Sequence, residues 1–226
     1  MRNIRYNNFE KWNDEMIKKF DLEHYHNSSN FVIRFIESRR VKCVLMFISP
    51  SEKDKIIEIG CGAGDILGKI KKGSLTGLDI SQYIIDRAKK RFKKISFIVG
   101  NAQNLPQEVK KRQFDKIICS EVLEHVEEPE RVLKEIKKIS RKESIVVISI
   151  PNEGLINKIK AILQKLRIFG LFFPKLSRKM NEEWHLHAFS FDRLRTMASS
   201  DYIIIKAQGV PYNWIPLRYV LKMKIK

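Results

Sequence analysis

No apolar run in this chain of 226 residues approaches the roughly 18–20 residues that a membrane-spanning helix requires. Cysteine is scarce: Cys43, Cys61 and Cys119 are widely spaced, and no two form a C-x-x-C pair. That argues against a disulfide framework or a cysteine zinc site and suits a reducing compartment. The opening Met-Arg-Asn-Ile-Arg-Tyr leads into no apolar h-region, so a secretory signal is not expected. Internal repeats and low-complexity tracts are missing as well. These absences describe one soluble globular unit, cytoplasmic or peripheral on a membrane.

Negative charge is the other shortage. The chain has 26 Asp and Glu against 44 Lys and Arg, a formal charge of +18. The imbalance is uneven. Residues 1–54 carry 10 basic and 8 acidic side chains, whereas residues 151–226 carry 14 and 5. A basic end of this kind attracts nucleic-acid phosphates, anionic lipid head groups or an acidic small substrate. Lysine serving simply as the preferred solvated residue accounts for it equally well.

What is present is an alternation. Residues 9–20 are weakly amphipathic, and Ser28-Ser29-Asn30 offers N-cap chemistry before a helical stripe of Phe31, Val32, Phe35, Ile36, Cys43, Val44 and Phe47. From residue 55 short apolar runs follow at 55–59, 75–78, 95–99, 114–119 and 144–150. Helical segments separate them at 65–72, at 81–94 with Ile84, Ile85, Ala88 and Phe92 on one side, and at 129–141 with Val132, Leu133, Ile136 and Ile139 aligned. Near-continuous apolar strands separated by such helices predict an α/β fold, a doubly wound and mostly parallel sheet with helices on both faces. After Pro151 the alternation breaks into a basic amphipathic insertion at about 154–180. A helix over 190–200, a strand at 202–205 and a final strand within 212–225 complete the reading. Residues 1–50 are expected to form an N-terminal helical lid, with His24-Tyr25-His26 over the ligand pocket, and 51–226 the main domain.

The first strand runs into Glu58-Ile59-Gly60-Cys61-Gly62-Ala63-Gly64-Asp65. Three glycines let the backbone turn sharply and approach a ligand with no Cβ in the way, at the strand end where open α/β sheets bind ligands. The next strand ends in Asp79, placed to accept hydrogen bonds from vicinal ribose hydroxyls. The loop is G-x-G-x-G and not the G-x-G-x-x-G of dinucleotide sites, and the Glu58 carboxylate would repel a pyrophosphate but suit a cation.

These residues resemble the cofactor loop of class I S-adenosylmethionine-dependent methyltransferases. Gly100-Asn101-Ala102-Gln103-Asn104-Leu105-Pro106 resembles that family's adenine-contacting loop, and Phe114 to Cys119 its fourth strand. Ser120-Glu121-Val122-Leu123-Glu124-His125-Val126 resembles its active-site loop, closest to the ubiquinone-biosynthesis O-methyltransferase-like group. The resemblance implies a seven-stranded sheet with its last strand antiparallel, a methyltransferase activity and S-adenosyl-L-methionine as cofactor. The cofactor-binding residues it implies are Glu58, Gly60, Cys61, Gly62, Gly64, Asp79, Ile80, Asn101, Ala102 and Glu121. Asn101 stands where many members have Asp, and its amide oxygen still accepts.

The active-site loop lacks the Asn/Asp-Pro-Pro-aromatic tetrad of methyltransferases acting on the amino groups of bases. His125 and Glu121 are the candidate catalytic residues. Glu-x-x-Glu-His also resembles small-RNA 2′-O-methyltransferases, which implies a divalent ion held by Glu121, Glu124, His125 and, from Trp184-His185-Leu186-His187, His187. A helix-capping Glu124 and a packed His125 account for the same residues without metal. The expected acceptor is small, apolar or lipid-linked, and methylated on oxygen, with an anionic membrane surface met through 154–180. RNA as acceptor, with basic residues gripping phosphates, and a non-catalytic cofactor-binding role are the alternatives.

Overall fold

The computed structural model describes residues 9–20, 30–172 and 184–226; the expected aromatic lid at 24–26, Ser28, Ser29 and the end of the 154–180 segment lie outside them. Among the described residues the first two helices are α1 (Phe9–Phe20) and α2 (Phe31–Ile48). Asn30 caps α2 by accepting from the Val32 and Ile33 amides at 2.9 and 3.1 Å, satisfying two donors that have no partner within the helix.

The alternating part follows as β1 (Lys55–Ile59), β2 (Ser74–Asp79), α3 (Gln82–Arg91), β3 (Ser96–Val99), α4 (Gln107–Lys110), β4 (Phe114–Ser120), α5 (Pro129–Lys138) and β5 (Ser140–Pro151). The chain then forms α6 (Glu153–Lys165), α7 (Phe169–Phe172), α8 (Phe191–Ala198), β6 (Tyr202–Tyr212) and β7 (Ile215–Ile225). The strands make one seven-stranded sheet in the order β3-β2-β1-β4-β5-β7-β6. β1 to β5 pair in parallel, and β7 runs antiparallel to both β5 and β6. This is the doubly wound sheet that the alternation predicts, with the seven strands and antiparallel last strand that the family resemblance implies. Among the described residues no helix is long and apolar enough to cross a membrane.

Strand alternation divides the core into two layers. Ile57, Ile59, Ile117 and Val146 pack with Val132, Leu133 and Ile136 of α5 and Leu194 of α8. Ile56, Ile118 and Val147 face Val44 and Phe47 of α2 and Ile85 and Ala88 of α3. Two sequence expectations shrink. The helix over 65–72 is a single 3-10 turn at Leu67–Lys69, within which Gly68 lies so close to the Phe92 ring that a Cβ would stand 2.4 Å from it. The helix over 129–141 ends at Lys138, and β5 begins at Ser140, earlier than its apolar run.

Candidate active site

A cavity of about 290 Å³ opens at the carboxyl ends of β1, β2, β4 and β5, roofed by α1, the start of α2 and α6. The glycine loop forms one end. The Gly60 and Cys61 amides both donate to Leu78 O, at 2.7 and 2.9 Å, which folds the loop over the end of β2. Gly60, Gly62 and Gly64 all have positive φ (+69, +51 and +81°), the left-handed region that glycine enters without a steric penalty. A Cβ on Gly60 would stand 2.2 Å from Val122, whereas one on Gly62 would meet nothing within 4 Å and would occupy open space beside the cavity. Gly64 differs from its expected role. It does not line the cavity, and its bare Cα leaves room for the Phe92 and Phe97 rings, each of which would stand 3.1 Å from a Cβ placed there.

Asp79 is buried beneath this loop and accepts from the Gly62 amide at 2.9 Å and the Ser81 amide at 3.1 Å. Burial raises its pKa, and the backbone donors work against that rise. Glu58 is 2% exposed, and its Oε2 has no hydrogen-bond partner among the described residues. Burial pushes its pKa up to about 8 despite the nearby Arg40 guanidinium. An orphaned buried carboxylate oxygen on the cavity wall fits a cationic ligand. Ile80, Asn101 and Ala102 also line the cavity, and the Asn101 Oδ1 accepts from the Gln103 amide at 2.8 Å.

The far end of the cavity is built around the β4 loop. Glu121 is held at φ +56°. One carboxylate oxygen lies 2.7 Å from Arg218 Nε, and the other accepts from the Ser149 hydroxyl at 2.8 Å. Ser149 in turn meets the Ser120 hydroxyl at 2.8 Å, and Ser120 accepts from Arg40, which is paired with Glu37 at 2.7 Å. Since the Ser149 proton goes to Glu121, the chain has one direction: Arg40 to Ser120 to Ser149 to Glu121. Burial opposes the charge on Arg40, but Glu37 and Glu121 outweigh it and raise its pKa.

Glu124 is 1% exposed with Oε2 unpartnered among the described residues; burial first, then the Glu121 charge, raises its pKa well above the ordinary value. His125 Nδ1 lies 3.3 Å from Trp184 O, so Nδ1 carries the proton and Nε2 is the acceptor. Burial and the neighbouring His185 lower its pKa to about 3, which keeps the imidazole neutral. His185 Nδ1 is hydrogen-bonded to the buried Glu153 carboxylate, and its ring meets His125 edge-on at 4.8 Å.

The expected metal set is not brought together. His187 does not line the cavity. Its Nε2 donates to Glu127 O at 3.0 Å while its Nδ1 faces the Arg193 guanidinium at 3.2 Å, so neither ring nitrogen is left for a ligand bond. Glu121 is committed to Arg218 and Ser149. The residues that do converge are Glu124, His125 and His185, whose ligand atoms lie within 4.8 Å of one another.

A family model described as a methyltransferase domain matches residues 50–193. The chain belongs to that family. As a class I S-adenosylmethionine-dependent methyltransferase, it resembles a demethylmenaquinone methyltransferase of Thermotoga maritima, 26% identical over 90% of this chain and 88% of that one. It also resembles a ubiquinone biosynthesis O-methyltransferase of Pelagibacter ubique, 30% identical over 61% of this chain and 60% of the relative. Among solved structures, an S-adenosylmethionine-dependent methyltransferase from Thermotoga maritima aligns with a TM-score of 0.67 at 18% identity, over 94% of this chain and 99% of that one. A magnesium protoporphyrin IX methyltransferase from Synechocystis with bound S-adenosylhomocysteine gives 0.65 at 14% identity, covering 96% and 99%.

Five residues of the methyltransferase site escaped sequence reasoning: Glu37, Arg40, Ser149, Glu153 and Arg218. Glu37 and Arg40 did carry a signal, opposite charges three apart among the apolar residues of a helix. Ser149 and Arg218 reach Glu121 through strand pairing between β5 and β7, which no local pattern reports.

Proposed function

We propose that this methyltransferase acts on a small, apolar, lipid-linked acceptor and methylates it on oxygen. The carrying observation is the wall beyond Glu121 and His125, where Ile33, Ile36, Ile156, Ile159, Leu163 and Phe169 line the cavity. The names of the two relatives, a demethylmenaquinone methyltransferase and a ubiquinone biosynthesis O-methyltransferase, support a quinone-like acceptor, and the second of them supports oxygen as the methylated atom.

Bound S-adenosylmethionine supplies a methyl group already activated on a sulfonium. Glu58 and Asp79 provide the carboxylates for its positive charge and its ribose, the cradle at Gly62 admits it closely, and Asn101 and Ala102 lie where the adenine loop is expected. The chain's remaining task is to align an acceptor and exclude water. The α1 helix and the start of α2 cover the cavity as its lid, with Phe9 and Ile17 of α1 on the wall. A hydroxyl acceptor needs a proton acceptor nearby. His185 is the better placed of the two histidines, because Glu153 holds Nδ1–H and leaves Nε2 free to accept. His125 holds its proton too weakly for that work and orients instead. The basic α6 and the turn that follows it place Lys158, Lys165 and Arg167 toward solvent and meet an anionic surface from which the acceptor is drawn.

A second reading adds a divalent ion that acidifies the hydroxyl. It is favoured by the convergence of Glu124, His125 and His185, with an unpartnered carboxylate oxygen among them.

The test incubates the full chain with methyl-labelled cofactor and fractionated cell extract. Label in the lipid-extractable fraction, in an ether linkage, is the expected result. Label entering RNA, protein or water-soluble amines instead would remove this acceptor class, and stimulation by added Mg²⁺ lost on chelation separates the second reading from the first.

A further inference from the structure

We infer that a run of four aromatic rings beside the cavity, Phe31, Phe35, Tyr212 and Trp214, is a docking surface for an anionic phospholipid bilayer. The rings follow one another across two elements. Phe31 stacks on Phe35 at 6.4 Å, Phe35 meets Tyr212 at 6.2 Å, and Tyr212 stacks on Trp214 at 5.5 Å with 10° between the planes. Phe31 is 72% and Trp214 80% exposed. Exposure of this much contiguous aromatic surface opposes solubility and marks an interaction site.

Position and charge identify the occupant. The β6–β7 turn sits at the carboxyl edge of the sheet, where Arg218 pairs with Pro151 and where Leu217 and Arg218 line the cavity. The first turns of α2 reach that same edge, since Ile33 and Ile36 line the cavity too, and α6 leaves from it at the end of β5. On α6 the aliphatic side chains Ile162 and Leu166 are also turned outward. Among the described residues of α2 and α6, the exposed ionic groups have one sign. In residues 30–48 and 153–167 the carboxylates are Glu37 and Glu153, and both are buried. Arg34, Arg39, Lys42, Lys158, Lys165 and Arg167 are exposed, with the Arg39 guanidinium 5.7 Å from the Tyr212 ring.

Aromatic rings with a wet edge and apolar face, aliphatic tips and a cationic rim are what the head-group region of an anionic bilayer accepts. Nucleic acid fits less well. Tyr212 and Trp214 already cover one face of each other, and outward aliphatic side chains add nothing to base stacking. The surface would bring the apolar cavity mouth onto the membrane. For that purpose the inference rests on the lipid-linked reading of the acceptor.

The experiment is flotation of the full chain with vesicles of phosphatidylcholine alone or mixed with phosphatidylglycerol, with brominated acyl chains to quench tryptophan. The chain is expected to float with the anionic vesicles and release in high salt, with quenching that is largely lost in Trp214→Phe. The double variant Tyr212→Ala/Trp214→Ala should lower the bound fraction about tenfold, with calorimetric affinity for S-adenosylmethionine unchanged, since neither ring lines the cavity. Undiminished flotation of that variant, or quenching equal in parent and Trp214→Phe, overturns the inference. If Ile162→Asp/Leu166→Asp alone abolishes flotation, α6 is the anchor, and the aromatic surface falls while the lipid-linked reading stands. If the parent never floats, or if oligouridylate quenches Trp214 where vesicles do not, the bilayer is the wrong partner; the acceptor labelling experiment then judges the other reading independently.

Discussion

Arg218 Nε stands 2.7 Å from Glu121 Oε2, tying the antiparallel strand β7 to a residue held at φ +56° just beyond β4. Both side chains are mostly buried, at 13% and 20% exposed, so the pair is screened far less than a surface one. Left-handed backbone at a non-glycine residue costs about 1–3 kcal/mol and persists where surrounding contacts over-determine it. Arg218 and Ser149 supply those contacts.

Arg218→Met should therefore destabilise the fold by about 3 kcal/mol, because it removes the cation in contact with Glu121 and leaves only Arg40, which reaches that carboxylate through Ser120 and Ser149. Adding Glu121→Gln should recover most of that loss. Urea unfolding of the two single variants and the double variant measures the coupling. Additive losses would mean that the two side chains are neighbours without being partners.

Glu58 makes stability and cofactor affinity depend on pH in opposite directions. Its pKa is raised from 4.5 to about 8, so the folded chain holds an extra proton between those values. Stability from this group is greatest below about 4.5, falls as pH rises toward 8, and levels off above it. A cationic ligand favours the carboxylate, so affinity for S-adenosylmethionine should rise across the same window with release of a proton. Melting curves and calorimetry in buffers of different ionisation heat should show both slopes, and Glu58→Gln should flatten both.

The two glycines that bracket Cys61 should fail in different ways. Gly60→Ala brings a methyl group to 2.2 Å from Val122 and should destabilise the ligand-free protein by about 3 kcal/mol through strain and overpacking. Gly62→Ala meets nothing, so its cost in the ligand-free protein should be about 1 kcal/mol, from the positive φ alone. Its Cβ occupies ligand space, however, and affinity for S-adenosylmethionine should fall by more than stability does. Thermal melts with and without cofactor distinguish the two.

Asp79→Asn removes the charge and keeps an acceptor for only one of the Gly62 and Ser81 amides, because these meet different carboxylate oxygens and the new NH2 must face one of them. Cofactor affinity should fall about 100-fold, ~2.7 kcal/mol, and the melting temperature should fall too, by less than in Asp79→Ala. Asp79→Ala should lower both, because the loop amides then lose their acceptor. Isothermal calorimetry beside melting curves checks the pair, and an unaltered affinity in Asp79→Asn would take this carboxylate out of the ligand site.

The sheet was legible because each of its parallel strands is a short apolar run flanked by helical periodicity, and burial on both faces leaves no other use for such runs. The glycine loop and Asp79 were legible because backbone conformation restricts which residues can stand there. The histidines were not. His185 and His187 are two residues apart with near-identical local context, and what distinguishes them lies elsewhere in the chain. Glu153 claims one ring, and Glu127 O with Arg193 claims the other. The same holds for Gly64, whose glycine serves the Phe92 and Phe97 rings although it reads like its two loop neighbours.

Trp184 touches both the first helix and the loop after β4. Its indole Nε1 donates to Asn13 of α1 at 3.3 Å, and its main-chain oxygen fixes which nitrogen of His125 carries the proton. α1 lines the cavity, so displacing it strains the peptide whose oxygen sets the imidazole's tautomer. A chain with its first helix removed should therefore differ in the arrangement of hydrogen atoms around His125 as well as in its shelter from water.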